Sequence, residues 1–269
     1  MIDLGGRRVL VTGGSRGIGA ACCRLFARAG AAVLVHYQVR DDRAAALLAE
    51  LNGAPAGAGG TSRSPSPSAP SSPRPPHLAR RGDLRRADEV AALFAFAAAE
   101  WGGLDTLVNN AGVWVPNALS NLDRASLDET LAVNVVGSFL CAAAAAPLLA
   151  RADDGSIVNV TSTAGQRGEA FYSPYAASKG AMISATKSWA MELAPRIRVN
   201  SVAPGWVDTE MTAAALAGEG GRQAAASIPL ARVATPDDIA GPIVFLASAL
   251  ARHVTGEILN VNGGSVLVG

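Results

Sequence analysis

Six short runs rich in β-branched residues, RRVLVTG, AAVLVHY, LDTLVNNAG, GSIVNVTS, IRVNSVAPG and EILNVNGG, recur between longer alanine- and leucine-rich segments. Strands that are apolar on both faces need cover on both faces, and parallel strands need connections of a dozen or more residues. The pattern predicts an α/β fold built on a doubly wound parallel sheet flanked by helices. With 269 residues, 49% of them hydrophobic, the chain can bury one sizeable core, so a single domain over residues 1–269 is expected. One segment breaks the rhythm: GAPAGAGGTSRSPSPSAPSSPRPP, residues 53–76, has no apolar periodicity. Its composition predicts disorder, in a surface insertion between the second helix and a strand around His77 to Arg81. The same composition is compatible with a regulatory or phosphorylated segment.

Composition excludes several partners. A net charge of +1 with scattered arginines gives no footprint for nucleic acid or an anionic membrane. No stretch reads as the ~20 apolar residues of a spanning helix, and MIDLGGRRVLVTGG has no long apolar signal core. Cys22, Cys23 and Cys141 have no metal-ligand spacing and read as small buried hydrophobes, so no metal is expected and a reducing, cytoplasmic setting fits.

Ligands of doubly wound sheets sit beyond the carboxyl ends of the strands. The polar and glycine-bearing stretches Thr12–Gly19, Asn109–Gly112, Thr161–Ser162 and Pro204–Thr209 fall at those ends and should converge. TGGSRGIG follows the first strand and opens the first helix, with Gly13, Gly17 and Gly19 spaced for a tight turn, a close backbone approach to a pyrophosphate and close helix packing. In YAASKG, Tyr175 and Lys179 are four residues apart and share one helix face. A cation beside a phenol favours the phenolate, which would let the pair move a proton near neutrality. The same pair also reads as a half-buried tyrosine capped by a snorkelling lysine.

Taken together, TGxxxGxG at 12–19, NNAG at 109–112, Asn134, Ser162, Tyr175 with Lys179, and PGWVDT at 204–209 resemble the short-chain dehydrogenase/reductase family in order and spacing. The resemblance runs from Gly5 to Gly264 and leaves out only the Ser/Pro-rich insertion. It lies nearest the 3-oxoacyl-carrier-protein reductase and glucose-dehydrogenase-like branch, on GSRGIG, SVAPGWVDTEM and HVTGEILNVNGG. It implies a seven-stranded Rossmann sheet and a catalytic set of Asn134, Ser162, Tyr175 and Lys179. Tyr175 would be the general acid or base, and Lys179 would lower its pKa and hold the nicotinamide ribose. Ser162 would hydrogen-bond the substrate oxygen, and Asn134 would anchor a water that relays protons to Lys179. Cofactor contacts are implied at Gly13, Ser15, Arg16, Gly17, Ile18, Gly19, Tyr37, Gln38, Asp83, Leu84, Asn110, Ala111, Gly112, Pro204, Gly205, Val207 and Thr209, besides Tyr175 and Lys179. Plainer readings stand beside these: Asn134 bending or capping its helix, Ser162 closing a strand end, Asp83 capping DLRRADEV. A dinucleotide-binding protein without chemistry is the alternative class.

The second strand ends in HYQVRDD, with Tyr37 and Gln38 where NAD-selective sites carry an acid, and Asp41 and Asp42 begin the next helix. Arg16 could meet a 2′-phosphate, with help from His36, Gln38 and Arg40, which favours NADP(H) over NAD(H). Residues 210–228 resemble a mobile lid, with Gly218, Gly220 and Gly221 as hinge points. Trp114, Gln166, Arg167, Phe171, Tyr172 and Trp206 flank the expected pocket. The substrate is a 3-oxoacyl thioester or a free sugar, small ketone or other secondary alcohol. Asp153, Asp154 and Met191 count against docking of an acidic acyl carrier protein. Alanine-rich helices around CAAAAAPLL and after Tyr175 imply, with the resemblance, a homotetramer.

Overall fold

The computed structural model describes residues 2–53 and 75–268. The elements alternate as the sequence pattern requires: β1 (Arg8–Val11), α1 (Gly17–Arg28), β2 (Ala32–Tyr37), α2 (Asp41–Gly53), β3 (Leu78–Arg81), α3 (Ala87–Trp101), β4 (Thr106–Asn109), α4 (Arg124–Leu131), α5 (Ser138–Leu149), β5 (Gly155–Val160), α6 (Thr163–Arg167), α7 (Ser173–Leu193), β6 (Ile197–Pro204), α8 (Glu219–Ala226), α9 (Pro236–Ala247) and β7 (Ile258–Val261). The strands form one seven-stranded parallel sheet in the order β3-β2-β1-β4-β5-β6-β7. The chain reverses its direction of growth between β1 and β4, which opens a crevice at their carboxyl ends.

Alternation along each strand divides the core in two. Val9, Val11, Val33 and Val35 join Phe26 of α1, Leu47 and Leu51 of α2 and Ile239 and Ile243 of α9 on one face. Leu10, Leu34 and Leu107 join Leu93 and Phe94 of α3, Cys141 and Leu149 of α5 and Met182 and Trp189 of α7 on the other. All three cysteines are buried free thiols in these two layers, as their alanine-rich context implied. Part of the expected insertion, residues 54–74, lies outside the described residues.

The expectation that no stretch is long and apolar enough to span a membrane needs correction. α4 and α5 are joined by a π-helical turn, Ala132–Gly137, into one helix of 26 residues whose most apolar window has a mean hydropathy of 1.9. Its apolarity is spread over Val, Leu, Phe and Ala residues interrupted by Asn134, Gly137, Ser138 and Pro147, which is why no run stood out in the sequence. Cys141, Ala145, Leu148 and Leu149 of this helix are packed into the core.

Candidate active site

The four sequence-predicted turns converge on one cleft at the β1/β4 crevice. Its walls include every expected cofactor residue except Gly19. That glycine serves helix packing instead, because a Cβ there would lie 2.3 Å from the Gly13 carbonyl oxygen and 2.9 Å from Gly14 Cα, so only glycine lets α1 pack onto its turn. Gly13 and Gly17 sit at φ +61° and +52°, in the left-handed region. α1 starts without a side-chain cap and without an acidic residue in its first turn. Its first N–H groups and the positive end of its dipole therefore face the cleft, which fits a dinucleotide pyrophosphate.

The turn is held from two sides. Thr12 Oγ1 accepts the N–H groups of Asn110 and Ala111, both at 3.0 Å, and Asn110 Nδ2 donates to the carbonyls of Thr12 (2.9 Å) and Gly13 (3.1 Å). From β2, His36 Nδ1 accepts the Gly13 N–H at 3.2 Å, and Nε2 lies 3.0 Å from the Gly82 carbonyl, which makes Nε2 the protonated nitrogen. Burial pushes the His36 pKa down to about 4. This corrects its expected role: a buried, neutral imidazole fixes the glycine turn and cannot supply charge to a phosphate. Asp83 does line the cleft, but its carboxylate is held by Arg85 (2.7 Å) and therefore stays well ionised. It does not cap α3, which begins after Arg86.

The same cleft is lined by Ser162, Tyr175 and Lys179. Ser162 follows β5 and caps the single turn of α6, accepting the Ala164 N–H at 3.1 Å, and its hydroxyl also partners Tyr175. Tyr175 and Lys179 share one face of α7, the ammonium 5.8 Å from the phenol ring centroid. Lys179 Nζ donates to the Val160 carbonyl at 2.8 Å. Gly165 permits this geometry, since a Cβ there would lie 2.6 Å from the Lys179 backbone carbon.

Electrostatics departs from the expected effect of the lysine. Burial pushes the Tyr175 phenol up to about 12, against a lowering by Ser162, with Glu169 adding a smaller upward push. Desolvation pushes Lys179 down to about 8. In a dry site both charged forms are disfavoured, and the ammonium is directed at Val160 rather than at the phenol oxygen.

Asn134 is buried in the π turn, a feature frequent at functional sites, and does not line the cleft. Its Oδ1 accepts the Val113 N–H at 2.8 Å, and its Nδ2 donates to the Val113 carbonyl and to Ser178 Oγ, both at 3.0 Å. A Cβ on Gly112 would lie 3.2 Å from Asn134 Oδ1 and 3.5 Å from Lys179 Nζ, so the three residues abut.

Trp114, Tyr172 and Trp206, expected to flank the pocket, do not line the cleft but cluster beside its residues Val113, Gly205 and Val207. Trp114 stacks on Tyr172 with centroids 4.3 Å apart and meets Trp206 edge-on at 6.1 Å. Trp114 Nε1 donates to Glu169 at 3.3 Å, and burial raises the pKa of that carboxyl. Gln166, expected at the pocket, instead donates to Asn260 at 2.7 Å, and Phe171 is 72% exposed. Asp154 pairs with Arg7 and Arg198 just before β5, at the amino end of the sheet. Met191 lies 16 residues along α7 from Tyr175, ~24 Å at 1.5 Å per residue. Asp154 and Met191 therefore stand away from the cleft lining. Residues that sequence reasoning did not place in the site include Val39, Val113 and Val133, while Met211 and Thr212 of the expected lid line it. The three valines carry no motif, and only the fold brings them there.

A cleft of this build on a doubly wound sheet defines a class: a Rossmann-fold oxidoreductase that works on a CH–OH or C=O group with a nicotinamide cofactor. The chain belongs to the short-chain dehydrogenase/reductase family. A family model described as enoyl-(acyl carrier protein) reductase matches residues 68–265, and the short chain dehydrogenase model matches residues 7–61. Among similar proteins, the 3-oxoacyl-[acyl-carrier-protein] reductase FabG of Staphylococcus aureus is 36% identical over 259 residues, 96% of this chain and 97% of that protein. The cis-4-hydroxycyclohexanecarboxylate dehydrogenase of Sinomonas cyclohexanicum is 39% identical over 266 residues, 97% of each. A short-chain dehydrogenase/reductase of Brucella melitensis described as a glucose/ribitol dehydrogenase superposes with a TM-score of 0.87 at 32% identity, covering 99% of both chains.

Proposed function

We propose that the protein is an NADP(H)-preferring oxidoreductase that interconverts a carbonyl and a secondary alcohol. The observation that carries this reading is that Ser162, Tyr175 and Lys179 line the same cleft as the glycine turn. A nicotinamide bound there would supply or accept the hydride. Tyr175 gives its phenolic proton to the carbonyl oxygen in reduction and takes the alcohol proton in oxidation. Ser162, already fixed by its cap to Ala164, points its hydroxyl at the same oxygen and stabilises the charge that develops on it. Lys179 holds positive charge beside the phenol, and Asn134 braces the loop at Val113 and Gly112 against α7. The aromatic cluster of Trp114, Tyr172 and Trp206 lies next to the cleft residues Val113, Gly205 and Val207 and offers an apolar surface to a substrate that extends beyond the nicotinamide end. Relatives named for 3-oxoacyl and hydroxycyclohexanecarboxylate substrates support testing both kinds.

The cofactor preference rests on Tyr37 and Gln38 at the end of β2 and on Arg16 at the cleft wall. A panel of 3-oxoacyl thioesters, cyclic ketones and sugars, run with NADPH and with NADH, tests both parts. Arg16→Ala is expected to raise KM for NADPH at least about tenfold more than KM for NADH, in line with loss of a charge-assisted contact. Equal effects, or a wild type that prefers NADH, would refute the assignment.

A further inference from the structure

Three arginines meet one carboxylate at the mouth of the cleft. Glu210, immediately after Thr209, has Oε1 3.0 Å from Arg43 Nη2 and Oε2 3.4 Å from Arg16 Nη1 and 3.9 Å from Arg40 Nη1. The arginines come from the glycine turn, the β2–α2 connection and α2, while Glu210 opens the segment that leads to α8. Arg40 also pairs with Asp42 at 3.1 Å, and Asp41 is engaged by Tyr37. Counting Glu210, Asp41 and Asp42, the three guanidiniums are balanced, and withdrawal of Glu210 would leave one positive charge in excess. Arg40 adopts φ +72°, a left-handed conformation that costs a non-glycine residue ~1–2 kcal/mol per residue. The chain accepts that strain where a functional turn would need it.

We propose that Glu210 is an internal stand-in for the cofactor's 2′-phosphate: the phosphate takes the arginines, and Glu210 leaves them and frees the segment behind it. This inference rests on the NADP(H) reading and adds a coupling to it. Three features make the exchange favourable. All four side chains are between 38% and 49% exposed, so each ion pair is weak and cheap to break. A phosphomonoester brings about −1.5 to −2 charges and three acceptor oxygens, against a single charge and two oxygens for Glu210. The segment released has only local anchors beyond Glu210. Thr212 Oγ1 donates to the Val207 carbonyl at 2.5 Å and lies 3.1 Å from Thr209 Oγ1, and exposed turns then run to Gly218 at φ +56°. NAD(H), with no 2′-phosphate, would leave Glu210 latched, so cofactor choice and lid release become one event.

The test uses 2′,5′-ADP and 5′-ADP as probes on the intact protein, with hydrogen exchange over residues 210–217 and affinities by titration. Expected are faster exchange in that segment with 2′,5′-ADP but not with 5′-ADP, and a preference for 2′,5′-ADP that grows about three- to tenfold in Glu210→Gln as the competing carboxylate is removed. If the wild type prefers 2′,5′-ADP but the segment is equally or better protected with it, or if the preference stays within about twofold of wild type in Glu210→Gln, the latch is overturned while the NADP(H) reading survives. If neither wild type nor Glu210→Gln binds 2′,5′-ADP better than 5′-ADP, the NADP(H) reading itself fails and the latch with it.

Discussion

Lys179 should cost the protein stability, and replacing it should show how much. Its ammonium is buried, and its pKa falls from 10.5 to about 8, a difference of 2.5. At 1.36 kcal/mol per unit this is roughly 3 kcal/mol of folding free energy spent at neutral pH on holding a desolvated charge. The sign follows from proton counting. Between pH 8 and 10.5 the unfolded chain binds more protons at this site than the native protein, so stability from this group rises with pH across that window. It is fully present above pH 10.5 and lost as pH falls through 8. Lys179→Met keeps the length and apolar stem of the side chain but removes the charge. It also leaves the Val160 carbonyl without its 2.8 Å donor, which returns ~1–3 kcal/mol.

The expected net result at pH 7 is a variant as stable as wild type or up to about 2 kcal/mol more stable, with turnover lost. The diagnostic is the pH profile. Urea unfolding of both proteins at pH 7, 8, 9 and 10 should show the stability of the variant relative to wild type falling by roughly 2 to 3 kcal/mol as wild-type Lys179 becomes neutral in the native state. Tyr175, with its pKa raised from 10 to about 12, stays protonated in the native state of both proteins across this range, so the difference reports Lys179. Parallel profiles for the two proteins would refute the reasoning, because they would mean that the native ammonium is not desolvated.

Tyr175→Phe removes a proton donor and little volume, so kcat should drop ~10²–10⁴-fold with Tm and cofactor affinity retained; near-normal kcat would assign the proton to another group. His36 is neutral in the fold, with a pKa lowered from 6.5 to about 4, so its contribution is present above pH 6.5 and lost as pH falls to 4. Over that 2.5-unit window the loss is roughly 3 kcal/mol, and His36→Gln should flatten the acid limb of the stability profile; an unchanged limb would remove His36 from the account. On the helix surface, Val136 is 48%, Phe139 43% and Met191 82% exposed. If α5 and α7 build the proposed tetramer, Val136→Asp should lower the light-scattering mass from tetramer towards dimer at micromolar concentration, whereas a monomeric wild type would end the idea.

What could be read in the sequence follows the range of the forces involved. The strands were legible because burial on both faces writes itself into consecutive residues, as in Val9, Leu10 and Val11, which enter the two cores alternately. The glycine turn was legible because steric demands act within eight residues. Charge placement was not, because partners across a fold carry no local signal. Arg43 and Glu210 stand 167 positions apart and meet at 3.0 Å. His36 was misassigned for a related reason: whether an imidazole is a cation or a buried acceptor depends on Gly13 and Gly82 closing around it, from either side of the strand it occupies.

The plain and the chemical readings of Ser162 and Asn134 are not rivals in the structure. A hydroxyl that must aim at a reacting oxygen needs its rotamer fixed before substrate arrives, and the bond from the Ala164 N–H fixes it at no cost to the face turned towards Tyr175. Asn134 uses both ends of its amide to tie Val113 to Ser178, whose hydroxyl in turn donates to the Tyr175 carbonyl at 2.7 Å. The π turn that carries it departs from regular helical spacing, so the amide reaches the β4 loop and α7 at once. Asn134→Ala would therefore loosen the position of Tyr175 before it affected any proton path, and the two consequences separate by measurement. A positioning role raises KM and lowers kcat together at every pH, whereas loss of a proton relay lowers kcat alone and shrinks the solvent isotope effect's dependence on pH. Since the Asn134 amide is committed at both ends to Val113 and Ser178, the first pattern is the expected one, and a kcat-only defect would show that the residue acts on the proton path directly.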